Sequence, residues 1–165
     1  MKHRRIVAAA GLSLMTVAAC SQSPASPPVS PITLNQAGYA TELRQSFGQY
    51  HWPPDYRPDT DRLIEATQPL ADERLSAGVT KTVLDIVNSC AWYLSWDAAT
   101  ARGDRVASES ALRVMAGKLT KYPPAEDLRG KEFVTRAAER ARVGDPELAR
   151  QYVQANCETV RWMGK

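Results

Sequence analysis

Catalysis by side chains needs a nucleophile with its base, a pair of carboxylates, or a set of metal ligands, and each leaves a recognisable spacing. The chain carries two histidines, His3 and His51. His3 stands in a cationic N-terminal run, which leaves His51 as the histidine for any Ser-His-Asp arrangement or metal site. The carboxylates are scattered without ligand spacing around it, so neither a metal nor a cofactor is expected. Glu126 and Asp127, like Asp72 and Glu73, adjoin in sequence. Neighbouring helical side chains diverge by about 100°, which does not make a glycosidase-like pair. Gly117-Lys118-Leu119-Thr120 matches the end of a phosphate loop only in part: the hydroxyl residue has to follow the lysine directly, and Leu112 stands where the earlier glycine is required. Arg102-Gly103-Asp104 spells a cell-adhesion tripeptide, yet between two helices the same residues serve as a cationic last turn, a terminal glycine and an N-cap. The expectation is a protein without catalytic residues.

The unusual concentration is aromatic. Trp92, Tyr93 and Trp96 fall within one apolar helical stretch, with Trp92 and Trp96 four residues apart and so on a common face. Two readings stand: the rings complete a core, or they expose a patch for a partner, a glycan or lipid headgroups. His51, Trp52 and Tyr56, in the irregular segment His51-Trp52-Pro53-Pro54-Asp55-Tyr56-Arg57-Pro58, are the next candidates for a binding surface.

The elements that would position these residues read as helices throughout. No stretch alternates strictly enough for a half-buried strand. Leu34, Tyr39, Leu43 and Phe47 mark a first helix over about 35–48. Asp59 or Thr60 caps a second, lined by Leu63, Thr67, Leu70 and Arg74, with Pro69 as a kink or restart. Val79, Val83, Ile86, Val87, Cys90 and Leu94 give the strongest helix, between Gly78 and Gly103. Asp104 caps the next, whose core face is Ala111, Leu112, Met115, Leu119 and Tyr122 as far as Pro123-Pro124. Phe133, Val134, Ala137, Ala138 and Ala141 mark a helix over about 130–143. Gly144, Asp145, Pro146 and Glu147 then end one helix and start the last, which carries Ala149, Val153, Cys157 and Val160 and runs to about Trp162. The predicted fold is all-α, with five to six short helices in an antiparallel, bundle-like array. No 34-residue repeat is present, so a solenoid is not expected.

The N-terminus is of another kind. Lys2, His3, Arg4 and Arg5 precede an apolar run from Ile6 to Ala19. That run is about 14 residues, roughly 21 Å as a helix, too short for a hydrocarbon core of about 30 Å. It reads as an export signal. Val17-Ala18-Ala19-Cys20 closes it and resembles the bacterial lipobox, with Val17 where leucine is commonest. The resemblance covers residues 1–20. It implies a lipoprotein signal peptide over 1–19, a diacylglyceryl group and an added acyl chain on Cys20, and an extracytoplasmic protein anchored in the membrane by lipid. Residues 21–31 hold four Pro and four Ser and no charge, so residues 20–34 read as the lipidated cysteine with a Pro/Ser-rich tether, and 35–165 as the helical domain. Without Lys2, Arg4 and Arg5, the 21 basic residues fall to 18 against 18 acidic ones. Zero formal charge gives no electrostatic footprint for nucleic acid.

With Cys20 committed to lipid, Cys90 and Cys157 remain on an exported chain. Both sit in apolar stripes, and a disulfide between them is the natural reading, with two separate buried thiols as its alternative. A redox-active pair lacks its C-x-x-C spacing. These features point to a lipid-anchored interaction or structural module of the cell envelope, with a protein of the envelope as partner. A small-molecule or lipid-binding protein is the second reading, expected to show a cavity lined by Trp92, Trp96 or Met115. An envelope hydrolase is the third, and needs two convergent carboxylates or His51 with a hydroxyl.

Overall fold

Four of the six helices among the described residues begin at a residue whose side chain satisfies an orphan amide of the first turn. The structure, a computed structural model, describes residues 33–164. Helix α1, Gln36–Phe47, starts at Asn35, whose Oδ1 accepts from the Gly38 amide at 2.9 Å, and it buries Tyr39, Leu43 and Phe47 at a spacing of four. Helix α2, Thr60–Thr67, starts at Asp59, which accepts from the Arg62 amide at 2.8 Å. Asp104 caps α4, Arg105–Gly117, and Asp127 caps α5, Leu128–Arg142, in the same way.

Three expectations are corrected. The second helix does not reach Leu70 and Arg74. Pro69 pushes the residue before it out of the α region, Gln68 adopts ψ 149°, and Leu70 is 67% exposed. The chain instead forms β2, Leu75–Ser76, which pairs antiparallel with β1, Thr33–Leu34, in register Thr33 with Ser76 and Leu34 with Leu75. This two-residue ladder is too short for an alternating pattern to reveal. The last helix, α6, is Glu147–Asn156 and stops well before Trp162. Beyond it the backbone tightens: the Val160 amide donates to the Cys157 carbonyl and the Met163 amide to the Val160 carbonyl. That three-residue repeat stacks the buried Cys157, Val160 and Met163 on one side, which a helix of 3.6 residues per turn does not do.

Helix α3, Val79–Ala101, is the 23-residue axis of the molecule. Its buried residues, among them Leu84, Asp85, Val87, Asn88, Cys90, Trp92, Tyr93 and Trp96, cover most of its circumference rather than one stripe. The reason is position. Its N-terminal half packs in a cluster with Tyr39, Leu43 and Leu63 of α1 and α2 and with Val160 and Met163. Its C-terminal half packs with Met115 of α4 and Ala137, Ala138, Ala141 and Ala149 of α5 and α6. The alanines admit close approach, and the rings of Trp92, Tyr93 and Trp96 fill the space between. Among the described residues the fold is all-α, six helices and one minimal ladder.

Cys90 and Cys157, both fully buried, form the disulfide that joins α3 to the end of α6, with Cα atoms 5.6 Å apart and a sequence separation of 67. Gly144, at φ +84°, ends α5 in the left-handed region where a side chain is strained. Asp145 follows, accepting from the Glu147 amide and pairing with Arg140, and these bonds hold its carboxyl below the usual carboxylate range.

Candidate polar cleft

A buried polar side chain loses water and has to find a partner inside the protein. Helix α3 buries four such groups, Thr80 in its first turn and then Asp85, Asn88 and Ser89. Asp85 and Asn88 lie three apart and Trp92 four further on, so all three share a face. That face meets the segment leaving α1. The Tyr50 hydroxyl donates to Asp85 Oδ1 at 2.7 Å, and Lys81 Nζ, one turn earlier on α3, donates to Asp85 Oδ2 at 2.6 Å. Asn88 Nδ2 and Trp92 Nε1 both donate to the backbone carbonyl of His51, at 2.9 and 3.0 Å. The Tyr122 hydroxyl, beyond the end of α4, donates to Asn88 Oδ1 at 2.7 Å. Ser89 returns its hydroxyl to the Asp85 carbonyl.

These bonds hold the Tyr50–His51 backbone against α3 and leave a cleft of about 370 Å³ between the end of α1, the start of α3 and the end of α4. Asp85 and the rings of Tyr50 and Tyr122 form its floor, and Gln49, His51, Lys81 and Lys118 stand exposed around it. Burial, then the hydrogen bond from its own hydroxyl to Asp85 and that carboxylate's charge, drive the Tyr50 phenol well above its ordinary range. Burial and the same charge push Tyr122 up to about 12. Both phenols therefore stay protonated near neutral pH and act as donors. With both oxygens of Asp85 engaged, the floor supplies orientation and the rim supplies the free donors.

The six aromatic and histidine candidates do not make one surface. Trp92, Tyr93 and Trp96 are 4%, 0% and 2% exposed, and Trp52 is 7% exposed and stacked on Phe47 with centroids 4.9 Å apart. Of the two readings of Trp92, Tyr93 and Trp96, the rings complete the core and the exposed patch is corrected, because α3 is covered by packing partners on the faces that carry them; Trp52, a surface candidate of the irregular segment, is buried as well. Tyr56 is half-buried against the first cluster, and an added Cβ at Gly164 would strike its ring. His51 is the one of the six that lines the cleft, its ring 5.5 Å from Trp92. Met115 is fully buried in the second cluster. Trp96 and Tyr93 do line a second concavity, also about 370 Å³, an apolar groove between α3 and α6 with the Arg150–Asp97 ion pair at its edge. Cys20 lies outside the described residues.

Asp85, Asn88, Lys81 and Tyr50 escaped the sequence reading, Lys118 entered it only in the failed phosphate-loop match, and Tyr122 only as a core residue. The available signal was a carboxylate and an amide three residues apart inside the most apolar helix of the chain. Among the described residues no group of three His, Cys, Asp or Glu side chains is arranged to hold a metal ion. Arg102, Gly103 and Asp104 close α3 and cap α4, with Gly103 at φ +71°. No protein family, curated protein or solved structure matches the chain.

Proposed function

We propose that the chain is a lipid-anchored protein of the cell envelope whose helical domain binds a partner and carries out no catalysis, with the polar cleft on α3 as its contact surface. The observation that carries this reading is the fully buried Cys90–Cys157 bond in a chain whose first twenty residues resemble a lipoprotein signal. A structural disulfide belongs to an oxidising compartment, and the signal is the route to one. The membrane, through the diacylglyceryl and acyl chains on Cys20, is the first partner, and an envelope protein the second. Neither nucleic acid nor metal enters the reading. The state of the cleft supports binding over catalysis, because its carboxylate and phenols are tied to one another and a preformed surface of exposed donors remains. The α3–α6 groove favours one alternative, a protein that holds a small or lipidic ligand between helices.

Two measurements on whole cells test the proposal. Cys20→Ser is expected to leave an unprocessed or soluble precursor; normal processing with unchanged membrane retention refutes the anchor. A photo-crosslinking residue at Gln49 is expected to trap one defined envelope partner that the same residue at Arg113, on the outer face of α4, does not trap. Identical adducts from both positions, or none, refute the contact surface.

A further inference from the structure

The cleft has an uneven chemistry. Its acidic floor is satisfied internally, whereas its rim offers mostly donors: the ammonium groups of Lys81 and Lys118, the Gln49 amide and the His51 ring. Lys81 spends one of its three donors on Asp85, and its side chain remains 68% exposed. Counting Lys81, Lys118 and Asp85, the lining carries one net positive charge. Its cations are both lysines, although the chain has 15 arginines and 6 lysines, and no arginine lines the cleft. A planar guanidinium fork binds carboxylate and phosphate alike at a fixed edge, while ammonium groups act as point charges with freely turning donors, and two of them with the rim donors can be shared among the several oxygens of a phosphate. The geometry points to the cleft as a phosphate-group site, with Lys81 and Lys118 gripping the oxygens, His51 and Gln49 donating from the rim, and the rings of Tyr50 and Tyr122 supporting the moiety that carries the phosphate. This inference rests on the reading of the domain as a binding module and adds, beside the protein that contacts the rim, a ligand for the interior of the cleft. The phosphate arrives either on a small soluble molecule or on an anionic lipid headgroup.

The test is calorimetric titration of the full chain, purified in neutral detergent, with inorganic phosphate at low ionic strength. Binding with a Kd of the order of 1 mM is expected, weakened about tenfold by Lys118→Gln and unchanged by Arg113→Gln. Lys81→Gln is expected to weaken it as well. Because that variant strips Asp85 of its counter-charge, Lys118→Gln carries the decision. Competition for the site by phosphatidylglycerol vesicles, but not by phosphatidylcholine vesicles, assigns the lipid headgroup. Phosphate binding without such competition assigns the soluble source. No heat up to about 10 mM phosphate, or equal loss in Lys118→Gln and Arg113→Gln, overturns the site. A Gln49 crosslink to an envelope protein alongside absent phosphate binding overturns the ligand class alone and leaves the binding module standing. Absence of both overturns the two together.

Discussion

Asn88 joins three parts of the molecule through one amide: its Nδ2 holds the His51 carbonyl, its Oδ1 takes the Tyr122 hydroxyl, and its backbone belongs to α3. Replacing it with alanine leaves the Tyr122 hydroxyl without its acceptor and removes one of two donors from the part-buried His51 carbonyl. Asn88→Ala is therefore expected to destabilise the domain by about 2 kcal/mol. Denaturant unfolding measures that loss, and a change below about 0.5 kcal/mol refutes the clamp. Residues of this kind are hard to read from sequence. Asn88 lies on a helix whose apolar spacing is so regular that a polar interruption reads as a solvent-facing position. What inverts the reading is α3's central location, which a single helix does not encode. Trp92 follows the same logic: two of its features, an apolar ring and an N–H, fit either a core or a contact surface, and only the carbonyl of His51 decides between them.

The helices themselves were legible because their punctuation is local. Asp59 and Asp104 cap α2 and α4, and Gly144 closes α5, each acting within a few residues of its own position, whereas the Asp127 cap of α5 was not read. The end of α2 was misplaced for a local reason, Pro69, and the other errors fall where a distant contact decides. The end of α6 departs from the regular helix because Cys157, Val160 and Met163 face one core. The Cys90–Cys157 pairing was legible too, since it needed only two inward-facing cysteines. Replacing both by alanine relaxes a 67-residue loop in the unfolded chain, for which loop-closure entropy suggests about 4 kcal/mol. The double variant is expected to lose stability of that order in urea unfolding while keeping its far-ultraviolet helical signal. Stability equal to the parent would show that packing of α3 against α6 suffices without the bond.

Across the whole molecule, tyrosines link stability to pH. Tyr39 lies in one cluster, Tyr93 in the other, Tyr152 packs against both, and Tyr50 and Tyr122 sit at the cleft. Burial is the largest cause in all five and raises each above the ordinary phenol value of 10.0. An acid whose folded-state pKa is raised holds its proton more tightly when folded. Its contribution is thus fully present below about pH 10 and is lost as pH climbs through the folded values, about 12 for Tyr122. Urea unfolding at a series of pH values is expected to show constant stability from these groups up to about pH 9.5 and a steady fall above it, with phenolate absorbance rising together with unfolding. Phenolate appearing in the native protein near pH 10 for these five tyrosines would contradict that burial.

The clamp on the His51 carbonyl has a consequence for how this protein can change over time. Asn88 and Trp92 grip the backbone at that position through hydrogen bonds that do not involve its side chain, whose exposed ring lies beside Trp92 at the rim of the cleft. The cost of placing the loop and the choice of what it displays are thereby decoupled. Position 51 can be exchanged for an acid, an amide or another ring without dismantling the mount beneath it, so drift there re-tunes selectivity while the scaffold stays as it is.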